Sequence, residues 1–374
     1  MSTVCKKDEC AGCMACVDIC SMKAITIDDK RYAYNAQIDD SKCVQCNLCR
    51  RVCPSVTYPD YFKEPIEWLQ GWSAKDTTRK KGSSGGLASE LASTVVELGG
   101  CVCSCIFQDG EFLFSMEDEN SKLEKFAGSK YIKSNPSGIY KKILEQLKMN
   151  RTVLFIGLPC QVAALKNFVN PKLQEKLYTI DLICHGTPSP YFLEVFLKQY
   201  DVDLYNLEDI RFREKDCFQV TEKYKSIVTT GVRDHYTTAF LNGLFYTDNC
   251  YFCKYARKER ISDITLGDSW GSDLPSEEVR KGISLILCQT EKGKDLLSHS
   301  RIITKPVDID KAILHNHQLK APSKKTENRD KFFDMIENGK SFNYAVFKCF
   351  PKECIKQEIK KKLIRFRLIG GGEK

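Results

Sequence analysis

Two runs of closely spaced cysteines constrain this 374-residue chain more than any other feature of its sequence. Both follow the spacing Cys-x2-Cys-x2-Cys-x3-Cys, and together they contain Cys10, Cys13, Cys16, Cys20, Cys43, Cys46, Cys49 and Cys53. Three thiolates on so short a loop wrap one side of a metal cluster, and the fourth, three residues further on, points away from it. The runs therefore predict two cysteine-ligated metal sites near the start of the chain.

This spacing is that of bacterial ferredoxins with two [4Fe–4S] clusters. The predicted assignment crosses between the runs, and the first cluster takes Cys10, Cys13, Cys16 and Cys53. The second cluster takes Cys43, Cys46, Cys49 and Cys20. Two zinc sites are the alternative, but zinc motifs usually come as separated CxxC pairs. Cys5 lies outside the pattern and has no predicted role.

The overall composition indicates a cytoplasmic metalloprotein. Twenty cysteines in a chain of this size, without an apolar leader, favour metal binding or redox chemistry over a disulfide framework. No stretch approaches about 18 consecutive apolar residues, so no transmembrane helix is expected. Residues 355–374 carry a net charge of +5 out of the total of +8, and the nearly balanced remainder argues against nucleic-acid binding.

The pattern along the chain predicts several regions. Closely spaced prolines after Cys53 mark a boundary. The predicted regions are a ferredoxin domain at 1–60, a linker at 61–75, a region at 76–150, an α/β region at 151–310 and a basic C-terminal extension at 311–374. Buried strands alternate with helices from residue 151 onward, which indicates a mixed or largely parallel sheet. The predicted fold class is thus an α+β ferredoxin-like domain followed by an α/β module with a mixed sheet.

Four further cysteines follow predicted strands or form a pair. Cys160 comes directly after a strand at 152–157, and Cys184 after a strand at 178–183. If these strands are parallel, both thiols lie at the same edge of the sheet, where α/β folds bind ligands. Cys250 and Cys253 form a CxxC pair. The spacing alone leaves an iron–sulfur cluster, a zinc site and buried cysteines open.

A glycine-rich segment, GSSGG at 82–86, precedes a helical pattern. Glycines allow a ligand to approach the backbone, and a helix N-terminus presents free amides to an anion such as a pyrophosphate. The alternative is that Ser83 or Ser84 simply caps the helix.

The motifs GSSGG, GSKY, LPCQ, LICHG, CYFC and RISDITLGDSWG occur in this order between residues 71 and 300. With them the chain resembles the family of coenzyme F-420 hydrogenase/dehydrogenase beta subunits. The resemblance implies a flavin, FAD, and a third [4Fe–4S] cluster on Cys160, Cys184, Cys250 and Cys253. It implies flavin contacts in GSSGG and GSKY, at Ser83, Ser84, Gly85, Gly86, Lys130 and Tyr131. Asp268 is a further candidate, for a ribityl hydroxyl, for ordering the CYFC loop or as a strand-end cap.

These parts predict an iron–sulfur flavoprotein oxidoreductase. A flavin exchanges electrons in pairs and clusters exchange them singly, so the combination connects two-electron and one-electron carriers. The expected partners are a small-molecule substrate or deazaflavin at the flavin, and a redox protein such as ferredoxin or a catalytic partner subunit. The alternative is a non-catalytic electron-transfer subunit that serves a separate catalytic partner.

The C-terminal segment predicts a basic amphipathic helix. Ile355, Ile359, Leu363 and Phe366 recur at helical spacing with lysines between them. Three interpretations remain open: a terminal helix that packs its apolar side on the domain, a docking element for an acidic redox partner, and a peripheral membrane contact.

Overall fold

A computed structural model describes residues 2–58, 62–223 and 225–368. In the first range, short strands and helices surround the two cysteine runs: β1 (Ser2–Thr3), α1 (Ala15–Ile19), β2 (Ile25–Asp29), β3 (Tyr34–Ile38) and α2 (Leu48–Val52). Strand β3 pairs antiparallel with both β1 and β2. Each cysteine run forms a loop that leads into one of the two helices, so α1 and α2 are equivalent elements of the repeat.

The other strands of the described residues belong to two sheets. They are β4 (Glu67–Ser73), β5 (Cys101–Gln108), β6 (Glu111–Glu117), β7 (Val153–Gly157), β8 (Leu177–Leu182), β9 (Arg211–Glu214), β10 (Cys217–Glu222), β11 (Lys225–Ser226), β12 (Ile264–Asp268), β13 (Ser284–Cys288) and β14 (Ile302–Pro306). Strands β9, β10 and β11 form a small antiparallel sheet.

Within the part of the chain that the structure describes, the main sheet has eight strands in the order β14-β4-β13-β12-β8-β7-β5-β6. Strands β12, β8, β7 and β5 are parallel neighbours. The outer pairs, β5 with β6 and β13 with its neighbours β12 and β4, are antiparallel. The predicted mixed sheet is therefore confirmed, and its parallel centre gathers several strand ends at one edge.

The described residues also form twelve further helices, several of which pack against this sheet. They are α3 (Asp76–Lys81), α4 (Leu87–Glu97), α5 (Ile139–Lys148), α6 (Pro159–Phe168), α7 (Tyr191–Lys198), α8 (His235–Leu241), α9 (Ser276–Arg280), α10 (Glu291–His299), α11 (Ile309–His315), α12 (Asn328–Glu337), α13 (Phe342–Cys349) and α14 (Pro351–Arg365). Short 3₁₀ helices occupy Asn120–Phe126, Pro171–Lys176, Leu204–Asn206, Asp248–Phe252 and His317–Leu319. No helix of the described ranges is long and apolar enough to cross a membrane.

The predicted boundaries need two corrections. Residues 67–73, inside the predicted linker at 61–75, form β4 in the main sheet, where β4 pairs with β13 and β14. Both partners come more than 200 residues later, so local sequence could not reveal this strand. The predicted division at residue 150 also crosses one sheet, because β5 pairs directly with β7.

Residues 311–350, within the predicted C-terminal extension at 311–374, instead belong to the core. Helices α12 and α13 bury Phe332, Phe342 and Val346 in the same apolar cluster as Phe192 and Phe196 of α7. Phe342 packs edge to face against Phe196 and Phe332. Residues 311–350 therefore complete the fold rather than extend from it.

The amphipathic helix predicted at the C-terminus is confirmed as α14, but its apolar side does not pack on the domain. Ile355, Ile359 and Phe366 are 48%, 53% and 70% exposed. The residue of α14 that is buried is Cys354, which lies on a different side of the helix. The packing interpretation of these apolar residues is therefore wrong.

Candidate functional site

The last cysteine of the second run joins the first run. Cys10, Cys13, Cys16 and Cys53, which we call the inner set, are each 5–7% exposed. Burial raises the pKa of Cys13, and the neighbouring charges of Cys53, Cys16 and Cys10 raise it further. These thiols thus lie close enough to affect one another, as the crossed assignment requires.

Cys20, Cys43, Cys46 and Cys49 form the outer set. Three of these side chains are partly buried against the small core of the N-terminal domain, and Cys46 is exposed. Cys46 also raises the pKa of Cys49, although burial is the larger cause. The outer set therefore lies at the surface of the protein.

Cys5, which the cysteine pattern leaves out, lies in the inner set's environment. Its thiol is hydrogen-bonded to the sulfurs of Cys10 and Cys53, and these bonds, followed by burial, raise its pKa. Its side chain is 5% exposed. The ligand spacing could not reveal this position, because Cys5 stands outside the repeat.

The inner set is fixed against the rest of the chain by direct hydrogen bonds. The hydroxyl of Tyr140 donates to the carbonyl of Cys13 at 2.7 Å. The carboxylate of Asp18 accepts from the amides of Gly138 and Tyr140 at 2.6 and 3.2 Å, at the start of α5. Helices α1 and α2 also contact α6, which carries Cys160 at its start.

The third set of cysteines surrounds a cavity of about 390 Å³, the cysteine cavity, which all four line: Cys160, Cys184, Cys250 and Cys253. Cys160 follows β7 and Cys184 follows β8, and the parallel register from Val153↔Leu177 to Gly157↔Asp181 brings both strand ends to one edge, as predicted. Cys250 and Cys253 come from the Asp248–Phe252 turn and its end.

The four thiols of the third set influence one another. The pKa of Cys160 is raised to about 12 and that of Cys253 to about 11, chiefly by burial, and the charge of Cys250 contributes to both. In residues 2–58, 62–223 and 225–368, no three His, Cys, Asp or Glu side chains converge tightly on one point, as ligands of a single ion would. The four cysteine ligands of a [4Fe–4S] cluster each bind a different iron, so they surround a volume rather than converge on one point. Four thiols around one cavity are the donor type that such a cluster takes, and binding it would displace the thiol protons.

A second cavity of about 420 Å³, the loop cavity, lies beside the cysteine cavity. Its lining includes the GSSGG loop, the first turn of α4, the GSKY segment and the ends of β7, β8 and β12. Cys184, His185 and Leu158 line both cavities. The two cavities thus share a wall that contains one ligand candidate of the third set.

The N-terminus of α4 faces the loop cavity without a side-chain cap. Gly86 is the N-cap, with φ at 78°, and no side chain of the described residues caps the helix. Ser83 accepts a hydrogen bond from the amide of Ser129 at 2.8 Å, and Ser84 donates to the carbonyl of Ile283 at 2.8 Å. The serine-cap alternative is therefore wrong, and the first amides of α4 remain available to an anion.

The side chain of Lys215 binds the backbone of the glycine-rich loop. Its ammonium donates to the carbonyls of Arg79, Gly82 and Ser84 at 2.5, 2.8 and 2.7 Å. Burial lowers the pKa of Lys215 to about 8, with the charges of Arg79 and Arg213 as further causes. With these carbonyls bound to Lys215, the loop has a fixed shape beside the cavity.

Two regions of the chain match models of known protein families. Residues 150–308 match the family model that describes the C terminus of the beta subunit of coenzyme F420 hydrogenase/dehydrogenase. This stretch of the chain thus resembles that family of beta subunits, in agreement with the motifs. Residues 9–56 match the model of a 4Fe-4S dicluster domain, which supports iron–sulfur clusters in the N-terminal region.

Two relatives extend this result. The F subunit of F(420)H(2) dehydrogenase from Methanosarcina mazei is 26% identical over 204 residues, which cover 49% of this chain and 55% of that relative. The match thus spans little more than half of the relative's length. A chain of the F420-reducing [NiFe] hydrogenase complex of Methanosarcina barkeri, solved after xenon derivatization, superposes with a TM-score of 0.50. At 16% identity, over 76% of this chain and 98% of that one, this likeness shows the fold alone.

Most of the predicted flavin contacts line the loop cavity. Ser83, Ser84, Gly86, Lys130, Tyr131 and Asp268 do so. Gly85 instead packs on the sheet, where a Cβ atom would lie 2.5 Å from the carbonyl oxygen of Gly71. The glycine at this position therefore serves close packing of the loop.

Three of these predicted side chains are already bound within the protein. Lys130 donates to the carbonyls of Phe126, Ala127 and Gly128, each at 3.1 Å. The ring of Tyr131 stacks on Phe240 at 4.3 Å. Asp268 accepts two hydrogen bonds from Arg213, at 2.6 and 2.9 Å. These contacts hold the three side chains in the cavity wall.

Arg213, Phe218 and Trp270 also line the loop cavity. The guanidinium of Arg213 lies 4.7 Å from the ring centroid of Phe218 and 5.2 Å from that of Trp270. Arg213 lies in β9 and Phe218 in β10, and both strands fall between the LICHG and CYFC motifs. The motifs therefore could not reveal these two residues. Trp270 belongs to the SDITLGDSWG segment, in which only acidic residues were predicted as site candidates.

Proposed function

We propose that this chain is a flavin-dependent iron–sulfur oxidoreductase that connects a two-electron donor or acceptor with one-electron carriers. FAD would occupy the loop cavity, a [4Fe–4S] cluster the third set, and two further clusters the inner and outer sets. The substrate would be a deazaflavin or another small molecule with two-electron chemistry. Three parts of this proposal go beyond the family resemblance: the flavin, the third cluster and the catalytic activity of the chain itself.

The observation that carries the proposal is the wall shared by the two cavities. Cys184 and His185 line both of them. The cysteine cavity is also lined by Ala11 and Pro54, each adjacent to a cysteine of the inner set. A cofactor in the loop cavity would thus lie next to the third set, and the third set next to the inner set. This order is the one that stepwise electron transfer requires.

The lining of the loop cavity supports a flavin nucleotide. Its volume lies in the range usual for ligand sites. The uncapped start of α4 and the Gly82 end of the loop suit phosphate oxygens, while the aromatic wall of Tyr131, Phe218 and Trp270 suits a planar ring. FAD, when bound, supplies the exchange of electron pairs for single electrons.

The residues of the chain have separate tasks in this mechanism. The amides of α4 bind phosphate, and Lys215 holds the loop carbonyls so that these amides keep their direction. Arg213 and Asp268 neutralise each other at the cavity wall. The cysteines of the three sets hold the clusters, and the buried position of the inner set excludes water from the path.

The outer set is the proposed contact with a redox protein such as ferredoxin or with a catalytic partner subunit. Cys46 is exposed, and the neighbouring Val44 is 62% exposed. Arg50 and Arg51 are exposed beside them. An apolar side chain surrounded by cations fits a partner with an acidic surface around its own redox centre.

The flavin is tested by narrowing the loop cavity. Ala88 lies in the first turn of α4 and lines the cavity, so Ala88→Leu adds bulk there. The anaerobically purified wild-type chain should contain one FAD and about 12 irons, whereas Ala88→Leu should lose most of the flavin and keep the iron. Ser93→Leu on the same helix, at a position outside the cavity lining, should keep both. Full flavin in Ala88→Leu, or none in the wild type, would contradict the proposal.

The same preparation separates an enzyme from an electron-transfer subunit. If the chain is an enzyme, it alone should reduce a viologen dye with a reduced deazaflavin, and Ala88→Leu should abolish this reaction. If the flavin and all clusters are present but only a complex with another protein turns over, the chain serves a separate catalytic partner.

A further inference from the structure

Lys133 places a buried positive charge between two cysteine sets. Its side chain is 5% exposed, and its ammonium donates to the carbonyl of Ala11, inside the first cysteine run, at 3.2 Å. The ammonium also lies 5.2 Å from the ring centroid of Tyr34. Lys133 lines the cysteine cavity together with the whole third set. Its charge is thus located between the inner set and the third set.

Among the described residues, Lys133 differs from the other buried cations in having no carboxylate partner. The other buried cationic side chains each form an ion pair: Arg79–Glu278, Arg211–Asp209, Arg213–Asp268, Arg260–Asp181 and Arg329–Asp248. Within the described ranges of the chain, Lys133 forms no ion pair with a carboxylate. A buried charge is costly unless an opposite charge lies nearby, so another anion must balance it.

The thiolates of the two cysteine sets can supply that negative charge. The ammonium donates to the carbonyl of Ala11, the residue after Cys10, and the side chain of Lys133 lines the same cavity as Cys160. Cysteines of both sets are therefore neighbours of this charge.

Gly12 leaves space for the side chain of Lys133 beside the first cysteine run. A Cβ atom at Gly12 would lie 2.8 Å from Cδ of Lys133 and 2.9 Å from Cδ2 of Tyr34. The equivalent residue of the second run, Gln45, has a similar backbone conformation, with φ at 52° against 67° for Gly12. The loop itself therefore accepts a side chain at this position. At Gly12 the glycine is needed because the lysine lies so close.

We propose that Lys133 is a positioning residue that raises the reduction potentials of the inner and third clusters together. The uptake of one electron adds one negative charge to a cluster, and the adjacent ammonium stabilises this reduced state without a proton transfer. Net charge near a cluster and hydrogen bonding are known determinants of its potential. For the third cluster the inference rests on the proposed function, whereas for the inner cluster it rests on the dicluster domain alone.

The test is Lys133→Gln, which keeps an N–H donor for Ala11 but removes the charge. Redox titration of the anaerobic holoprotein, followed by EPR, should show the inner and third clusters shifted to lower potential and the outer cluster unchanged. Lys133→Arg, which retains the charge, should restore the wild-type values. Lys148→Gln, at an exposed lysine that ends α5, should leave all three potentials unchanged.

The outcomes separate this inference from the proposed function. Unchanged potentials in a Lys133→Gln protein with full iron would overturn the role of Lys133. If the wild type holds about 8 irons, the third cluster fails, and the inner cluster alone then decides whether Lys133 acts as proposed. If Lys133→Gln does not retain its clusters, Gly12→Ala decides, with Gln45→Ala as its matched control. A lowered inner potential in Gly12→Ala but not in Gln45→Ala supports the inference, and no shift in either overturns it.

Discussion

The two cysteine runs have the same backbone but different surroundings. In the first run the amide of Gly12 donates to the sulfur of Cys10 at 3.4 Å, and in the second the amide of Gln45 donates to Cys43 at the same distance. The residues before the two helices, Met14 and Asn47, have φ values of 60° and 59°. The spacing of the ligands therefore fixes the local loop geometry in both runs.

What differs is the protein around each set. The inner set is packed between the N-terminal core and the helices α5 and α6, whereas the outer set reaches the surface at Cys46. Solvent exposure and hydrogen bonding tune the potential of an iron–sulfur cluster. One repeated motif thus has two different environments, because only one copy is covered by another part of the chain.

Replacing one ligand in each set gives the largest expected effect. Cys13→Ser and Cys46→Ser should each lose about four irons. Loss of the buried inner cluster leaves a void against α5 and α6, so Cys13→Ser should also lower the thermal unfolding temperature markedly. Cys46→Ser opens only a surface loop, so its unfolding temperature should change much less. Iron analysis and thermal unfolding under anaerobic conditions measure both quantities.

Equal losses of stability in these two variants would show that coverage by α5 and α6 does not distinguish the two sets. Cys217→Ser, an exposed cysteine outside all three sets, is the matched control and should change neither iron content nor stability.

A smaller effect is expected when the surface charge next to the outer set is reversed. Arg51 is exposed at the end of α2, beside the outer set, and far from the covered side of the inner set. Arg51→Glu should slow electron exchange with an acidic bacterial ferredoxin by about tenfold at low salt, because charge complementarity accelerates association. The difference should shrink as salt is added. Stopped-flow rate constants across a salt series measure this.

Arg280→Glu reverses an exposed charge on α9 and should leave the rate unchanged. If both variants slow the reaction equally, the protein's overall charge attracts the partner, and the outer set is not its specific contact.

The sequence predicted those parts of the structure that depend on local patterns. The ligand spacing indicated the two runs, and the buried strands before Cys160 and Cys184 indicated their common sheet edge. Residues that act through distant contacts were not predictable. Strand β4 pairs with strands more than 200 residues away, and Lys133 reaches Ala11 across 122 residues. Nothing in the local sequence around Lys133 distinguishes it from a surface lysine.

The C-terminal helix shows the same limit for an amphipathic pattern. The spacing of its apolar residues correctly predicted α14, but spacing does not reveal whether an apolar stripe is covered. In α12 and α13 comparable residues are buried, as Phe332 and Val346 show, whereas Ile355 and Ile359 of α14 are about half exposed. The difference arises because the neighbouring helices dock on α7 and α8 and α14 docks through its Cys354 side.

The smallest effect is expected in α14, which lies outside the contrast between the inner and outer sets. Ile359→Lys should change the free energy of unfolding by no more than about 0.5 kcal/mol, because the side chain is already exposed. If the apolar stripe were packed, burial of a lysine there would cost far more. Leu197→Ala, at a fully buried position in α7, should cost about 2–5 kcal/mol under the same conditions. The reduction potentials of the inner and outer clusters should be unchanged by Ile359→Lys. A large destabilisation by Ile359→Lys would mean that the apolar stripe of α14 is packed on the domain. The stripe could then not serve as a docking surface.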